Sequence, residues 1–151
     1  MAEETQYLTF MLDEEEYGIE ILKVREIIGY QKLTRIPYVS SFVKGIINLR
    51  GTVIPVLDLR TKFSLEAKIY DRLTVIIVLE ISGRIMGTIV DSVSDITSLS
   101  QDEVQPTPSF PTTIRTEFIK GIGKKDGRLI ILLDIDKILS TQELEDVDAA
   151  I

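Results

Sequence analysis

The sequence predicts an all-β protein with a few short helices, organised as two small barrels from two related halves. Many short runs of β-branched residues are separated by turn residues, and helical spacing of apolar residues is rare. Residues 42–59 return 76 positions later as 118–135, with eight of eighteen aligned positions identical. The chain therefore reads as a single domain, 1–151, whose halves span about 7–69 and 74–139. Terminal strands can still cross from one barrel to the other.

The first half begins with a predicted β-hairpin. Residues 7–12 alternate between apolar and polar types, and the acidic run 13–16 supplies a solvated turn. The apolar spacing of segment 21–28 suits a helix or a kinked strand, and its β-branched content favours the strand. Residues 52–59 predict a further strand, in which Pro55 indicates an edge position or a bulge because proline cannot donate to a ladder.

The second half repeats this pattern of strands and tight turns. Residues 74–81 and 128–135 are short, rich in β-branched residues and bounded by turn residues, which is typical of buried strands. A hairpin is predicted to turn at Ser82–Gly83. A further turn is predicted at 125–127, where Asp-Gly is the strong local signal.

Two short helices are predicted from capping signals. Ser100 and Ser140 each precede a glutamate by three residues, which is the spacing of a capping box. These signals predict short helices over 100–105 and 140–148. Residues 105–113 contain three prolines and predict an irregular loop.

Composition excludes several classes of function. The net charge is −7, from 17 basic and 24 acidic side chains, and this disfavours binding to the phosphates of nucleic acid. The sequence contains no cysteine or histidine, so disulfides, thiolate chemistry and histidine-based metal or triad sites are absent. No apolar run approaches the ~20 residues that span a bilayer, so we expect a cytoplasmic protein without direct membrane insertion.

The motifs of common enzymes and cofactor sites are also missing. No phosphate-binding loop, dinucleotide fingerprint or nucleophile elbow occurs. Asp134 and Asp136 share one strand face at a spacing that can hold a metal, but Asp134 belongs to the repeat and its twin Asp58 has no such partner. We therefore predict no catalytic, cofactor or metal site, and a small carboxylate-dependent hydrolase is the remaining enzyme alternative.

The repeat separates structural positions from candidate binding positions. Gly45 and Gly51 recur in the second half as Gly121 and Gly127, which favours a structural role in turns or close backbone approaches. Arg50 is aligned with Asp126, so folding alone does not demand a positive charge there. Its guanidinium suits a carboxylate or amide of a partner, and the alternative is a solvated turn cation or an intramolecular salt bridge.

Glu26 and Phe110 are two further candidates. The twin of Glu26 is Asp95, and acidity in both halves favours a shared structural or solvated role, although Glu26 can also lie at the rim of an apolar groove. Phe110 lies in the proline-bounded loop with nothing local to pack against. It either packs on the core from outside or contacts a partner.

Several motifs together resemble the CheW family of chemotaxis coupling proteins. These are EYGIEILKVREI at 16–27, FVKGIINLRG at 42–51 with Pro55 four residues further on, VDSVSDI at 90–96, and the proline-rich loop. The resemblance covers nearly the full length. It implies two SH3-like barrels of five strands each that pack on a shared apolar core, followed by the short C-terminal helix.

The resemblance also implies a function and its site residues. It implies a non-catalytic adaptor that links the cytoplasmic tips of methyl-accepting chemotaxis receptors to the regulatory domain of the histidine kinase CheA, recruited by the receptors to the inner face of the membrane. A paralogous adaptor for a non-chemotactic receptor system is the alternative. The resemblance assigns receptor binding to five residues and kinase binding to Phe110; the five are Val24, Glu26, Ile27, Asn48 and Arg50.

Overall fold

The chain forms two β-sheets and two short α-helices in a computed structural model that describes residues 3–37, 41–107 and 117–149. The six-stranded sheet contains β1 (Glu4–Leu12), β2 (Glu15–Glu20), β8 (Ser92–Ser100), β9 (Val104–Gln105), β10 (Ile119–Lys125) and β11 (Arg128–Leu133). The five-stranded sheet contains β3 (Val24–Gly29), β4 (Val43–Leu49), β5 (Thr52–Asp58), β6 (Val75–Ile81) and β7 (Arg84–Val90). Helix α1 covers Leu59–Lys62 and α2 covers Thr141–Ala149.

Each sheet takes strands from both halves of the repeat. The spatial orders are β8-β1-β2-β11-β10-β9 and β3-β6-β7-β5-β4. The hairpin β1–β2 therefore lies in the sheet of the second half, and the hairpin β6–β7 lies in the sheet of the first half. Both hairpins attach through parallel pairing: Gly18 of β2 pairs with Leu132, and its repeat-equivalent Gly87 of β7 pairs with Val56. The two halves thus exchange equivalent hairpins.

A large apolar core lies between the two sheets. It combines fully buried side chains from both, including Phe10 and Ile19 from one sheet and Leu57 and Leu79 from the other. Each sheet also encloses a smaller core of its own. This arrangement confirms the predicted fold class, two SH3-like barrels on a shared core. One barrel has six strands instead of five because the two-residue strand β9 adds to β10.

Most predicted elements are present with small changes at their ends. Both hairpins and the C-terminal helix are confirmed. The strand predicted over 21–28 begins only at Val24, because Ile21–Lys23 form a 3₁₀ turn. Strand β11 ends at Leu133, two residues early, because Asp134 caps a 3₁₀ turn at Ile135–Lys137. Helix α1 was not predicted, and it begins after Asp58, whose side chain accepts the backbone N–H of Arg60 at 2.8 Å.

Two expectations were wrong. The capping box of Ser100 and Glu103 forms, but residues 100–105 make only one 3₁₀ turn because Val104 pairs with β10 as part of β9. Of the two positions predicted for Pro55, the edge is wrong, because β5 is an inner strand. A bulge is present beside it, in β4 between Val43 and Gly45 opposite Leu57 and Val56. Pro55 is accommodated because the pairing of β5 with β7 begins only at Val56, so no partner on that side requires its missing N–H.

Gly45 allows the segment before β4 to approach the sheet closely. A Cβ atom at this position would lie 2.4 Å from the backbone oxygen of Thr34, which bridges to Ile46. We expect Gly45→Ala to lower the free energy of unfolding by about 1–3 kcal/mol, the usual range for overpacking. Urea unfolding measures this change. Gly29→Ala is the matched control, since no atom lies within 4 Å of its Cβ position, and an equal loss in both variants would contradict the explanation.

No helix in the part of the chain that the structure describes is long and apolar enough to cross a membrane.

Candidate functional site

The turn between β4 and β5 presents Arg50 in a backbone conformation that arginine rarely adopts. Arg50 and Gly51 have φ values of 51° and 88°, as a two-residue hairpin turn of this type requires. The equivalent turn of the second half has Asp126 and Gly127 at 52° and 77°. Aspartate tolerates the left-handed region well, whereas arginine occupies it at a cost, and such costs cluster at functional sites.

Asn48 organises this turn. Its side-chain oxygen accepts the backbone N–H of Gly51 at 2.8 Å, while the side chain lies at the surface. The repeat-equivalent residue is Lys124, which cannot accept a hydrogen bond. Asn48 therefore contributes to the position of Arg50, whether or not it also contacts a partner.

Arg50 forms an ion pair with Glu26 of β3. Its two terminal nitrogens donate to both carboxylate oxygens, with 3.2 Å between Nη1 and Oε2. The hydrogen bonds from Arg50 lower the pKa of Glu26, and those to Glu26 raise the pKa of Arg50. The side chain of Arg50 is 72% exposed and that of Glu26 28%. Of the alternatives for Arg50, the structure shows the intramolecular salt bridge, and exposed pairs of this kind add little to stability.

The ion pair lies at the rim of an open apolar depression of about 450 Å³. Four apolar side chains line it: Leu49, Ile54, Val78 and Ile85. Ile54 and Val78 belong to the small core of the five-stranded sheet, whereas Ile85 is 37% exposed. A rigid apolar floor with a charged rim is the usual composition of a protein-binding surface.

A β-bulge separates Val24 and Ile27 from this depression. The pairing register of β3 shifts after Val24, so that Val24 pairs with Leu79 while Glu26 pairs with Val78. Directly paired residues share a sheet face, and Leu79 belongs to the shared core. Val24 therefore packs towards the shared core, and Ile27, next to Glu26 on the strand, also points away from Glu26. The structure brings Glu26 and Arg50 together but places Val24 and Ile27 on the opposite face of β3.

Several residues of this surface were not predicted. Arg25 occupies the bulge, and its guanidinium lies 2.5 Å from the carboxylate of Glu80. Ile85 is exposed at a position where the first half has Glu16, a difference between the halves that the sequence already contained. Phe110 lies outside the described residues.

The aspartates considered for metal binding have other partners. Asp134 accepts the backbone N–H of Asp136 at 3.2 Å. Asp136 accepts from Lys23 at 2.9 Å and from the backbone of Ser82 at 2.8 Å, and these contacts lower its pKa. Within residues 3–37, 41–107 and 117–149, no three Asp or Glu side chains are grouped as metal ligands would be.

Comparisons with known proteins agree on one family. Residues 6–143 match the model of the CheW-like domain. The chemotaxis protein CheW of Klebsiella aerogenes is 47% identical over 143 residues, covering 95% of this chain and 86% of that protein. The Rhizobium meliloti chemotaxis protein CheW is 34% identical, covering 93% and 90%. The crystal structure of the scaffolding protein TtCheW from Thermoanaerobacter tengcongensis has a TM-score of 0.85 at 35% identity, covering 95% of this chain and 96% of that one.

Proposed function

The chain belongs to the CheW-like domain family and is a chemotaxis scaffold protein; from this premise we propose that it couples the cytoplasmic tips of transmembrane chemoreceptors to the histidine kinase CheA. It acts without catalysis of its own. It is cytoplasmic and reaches the inner face of the membrane by binding receptors. Signals pass through it as a difference in affinity for the states of its two partners.

The Arg50–Glu26 pair is the observation that supports this proposal best. The pair is exposed, lies beside an apolar depression, and includes an arginine that the repeat does not require. A receptor helix that packs its apolar face on Leu49 and Ile85 can exchange ion-pair partners with Arg50 and Glu26. Such an exchange fixes the register of the helix, because a wrong register leaves a charge unpaired.

The remaining predicted residues have separate roles in the proposal. Asn48 holds the turn that carries Arg50, and Val24 and Ile27 contribute to receptor binding from the opposite face of β3. Ile27 is 43% exposed and so accessible to a partner. Phe110 contacts the kinase. The role of Phe110 is supported by the resemblance of its loop to that of the CheW family.

Copurification of the full-length chain with CheA and with a receptor cytoplasmic fragment tests the proposal. We expect each partner to bind the chain separately and all three to elute as one complex. A paralogous adaptor for another receptor system would bind neither protein. Binding to CheA alone would contradict the coupling role.

The hydrolase alternative has no support among the described residues. Its general acid would need a carboxyl group whose pKa is raised. Where the pKa of a described carboxyl group departs from its ordinary value, it is lowered by a cation or a backbone N–H, as for Glu26, Glu143 and Asp148.

A further inference from the structure

A second concave site lies on the barrel of the five-stranded sheet, and nothing in the coupling role uses it. This basic cleft has a volume of about 720 Å³, within the size range of small-molecule sites. Four cationic side chains line it: Lys32, Arg35, Lys44 and Lys68. Tyr30, Leu33, Thr34 and Tyr70 are the other described residues of the lining, and no carboxylate is among these eight.

The cations of the basic cleft are largely without partners. Lys32, Arg35 and Lys44 form no ion pair with any carboxylate of the described residues. Lys68 is only loosely paired, at 3.8 Å from Asp71 and 4.0 Å from Asp91. Most other basic side chains of this acidic chain have a carboxylate partner. Converging cations repel one another, and a bound anion would relieve that repulsion.

The walls of the cleft are held in place by the fold. Thr34 exchanges two backbone hydrogen bonds with Ile46, at 2.8 and 2.9 Å, which fixes the segment that carries Lys32 and Arg35. The hydroxyl of Tyr70 donates to the buried carboxylate of Asp58 at 2.6 Å, and the ring of Tyr30 packs against Tyr70 with 4.5 Å between centroids. A preformed site of this kind loses little conformational entropy when it binds a ligand.

The second half of the repeat shows that folding does not require a cation at the position of Lys32. Gln105 pairs with Ile122 in the second half in the same way that Thr34 bridges to Ile46 in the first. Gln105 is therefore the equivalent of Thr34. Two residues before each of them, the second half has Glu103 and the first half has Lys32. Lys120, the equivalent of Lys44, is 3.3 Å from Glu20.

We propose that the basic cleft binds a multiply phosphorylated small molecule. Lysine and arginine side chains line one open cleft, which suits several phosphate groups of a single ligand better than an extended chain. Tyr30, 36% exposed, offers a ring on which a planar group of the ligand can stack. Inorganic polyphosphates and nucleoside polyphosphates both carry several linked phosphate groups. We therefore infer the phosphate chemistry of the ligand and not which of these two classes it belongs to.

Calorimetric titration of the full chain with tripolyphosphate and with ATP tests the proposal. We expect saturable 1:1 binding that weakens at higher salt. Tighter binding of ATP would assign a role to the tyrosines, and equal affinity would assign the site to the phosphates alone. Lys32→Glu, which copies the second half, and Lys32→Gln with Arg35→Gln should each weaken binding at least ~10-fold, since each removes charge from the site.

Lys124→Glu is the matched control, because it makes the same charge change at an exposed lysine on β10 of the other sheet, and it should bind as the unaltered chain does. Thermal melts of all variants establish that they are folded. No saturable binding of either phosphate compound would overturn the proposal. Equal weakening in Lys124→Glu would also overturn it, because the interaction would then follow net charge and not the cleft. Binding of an acidic peptide in place of both phosphate compounds would exclude the proposed ligand class.

Discussion

Arg60→Met will lower the free energy of unfolding by about 3 kcal/mol, because it leaves the carboxylate of Asp13 without its cation and that of Asp91 with only Lys68, 4.0 Å away. The Arg60 side chain is 6% exposed, with Nη1 at 2.6 Å from Asp13 and 2.8 Å from Asp91. Its Nε donates to the backbone oxygen of Glu66 at 2.8 Å. The value is at the lower end of the range for buried pairs because Asp13 is 48% exposed and water can compensate it in part.

The effect is large because Arg60 joins the two sheets. Asp13 lies in the β1–β2 turn of the six-stranded sheet, and Asp91 lies between β7 and β8. Asp91 also accepts the backbone N–H of Asp13 at 2.8 Å, so the loss of Arg60 weakens a connected group. Thermal melting should show a decrease on the order of 10 °C for a chain of this size.

Arg84→Met is the matched control for this prediction. Arg84 forms an ion pair with Asp148 at 2.6 Å, but both side chains are at the surface, at 36% and 50% exposure. Water screens such pairs, so its melting temperature should hardly change. If both variants melt close to the unaltered chain, the Arg60 cluster does not stabilise the joint between the sheets.

Arg50→Asp is expected to weaken receptor binding about tenfold or more while the melting temperature stays nearly constant. The change places a carboxylate beside Glu26 and reverses the charge offered to a receptor helix. The turn itself tolerates aspartate, because Asp126 has the same left-handed conformation in the equivalent turn. The dissociation constant for the receptor is measured by passing graded concentrations of the chain over an immobilised receptor fragment.

Asp126→Arg is the reciprocal control for Arg50→Asp. It makes the opposite charge change in the equivalent turn of the other barrel, so it separates the local effect from the effect of net charge. We expect it to bind receptor as the unaltered chain does. Normal receptor binding by Arg50→Asp, or a markedly lower melting temperature, would contradict the role assigned to Arg50.

The repeat made the fold predictable in outline but not the exchange of hairpins. Local pairing within β1–β2 and β6–β7 follows from alternation and turn residues. The parallel joints of Gly18 with Leu132 and Val56 with Gly87 connect distant segments, and any single segment is compatible with either barrel. The repeat also does not show which half supplies the hairpin of a given sheet, since the sheet edges of both halves have similar sequences.

The sequence identified Arg50 and Glu26 as candidates but not their arrangement or the other residues of this surface. The difference between Arg50 and Asp126 identified Arg50, but its contact with Glu26, 24 positions earlier, depends on how the barrel closes. The bulge that turns Val24 away from Glu26 leaves no trace in the spacing of apolar residues. The capping box at Ser100 formed as predicted, yet the pairing of Val104 with β10 limited the helix to one turn.

CheA autophosphorylation in a reconstituted mixture is the most direct test of whether the chain couples receptors to the kinase. The mixture contains the kinase, a receptor cytoplasmic fragment, and the unaltered chain, Arg50→Asp or Asp126→Arg. We expect the unaltered chain and Asp126→Arg to accelerate phosphorylation only when receptor is present, and Arg50→Asp to give no acceleration although it still binds the kinase. Activation by Arg50→Asp equal to that by the unaltered chain would contradict the account, as would an unaltered chain that fails to activate the kinase.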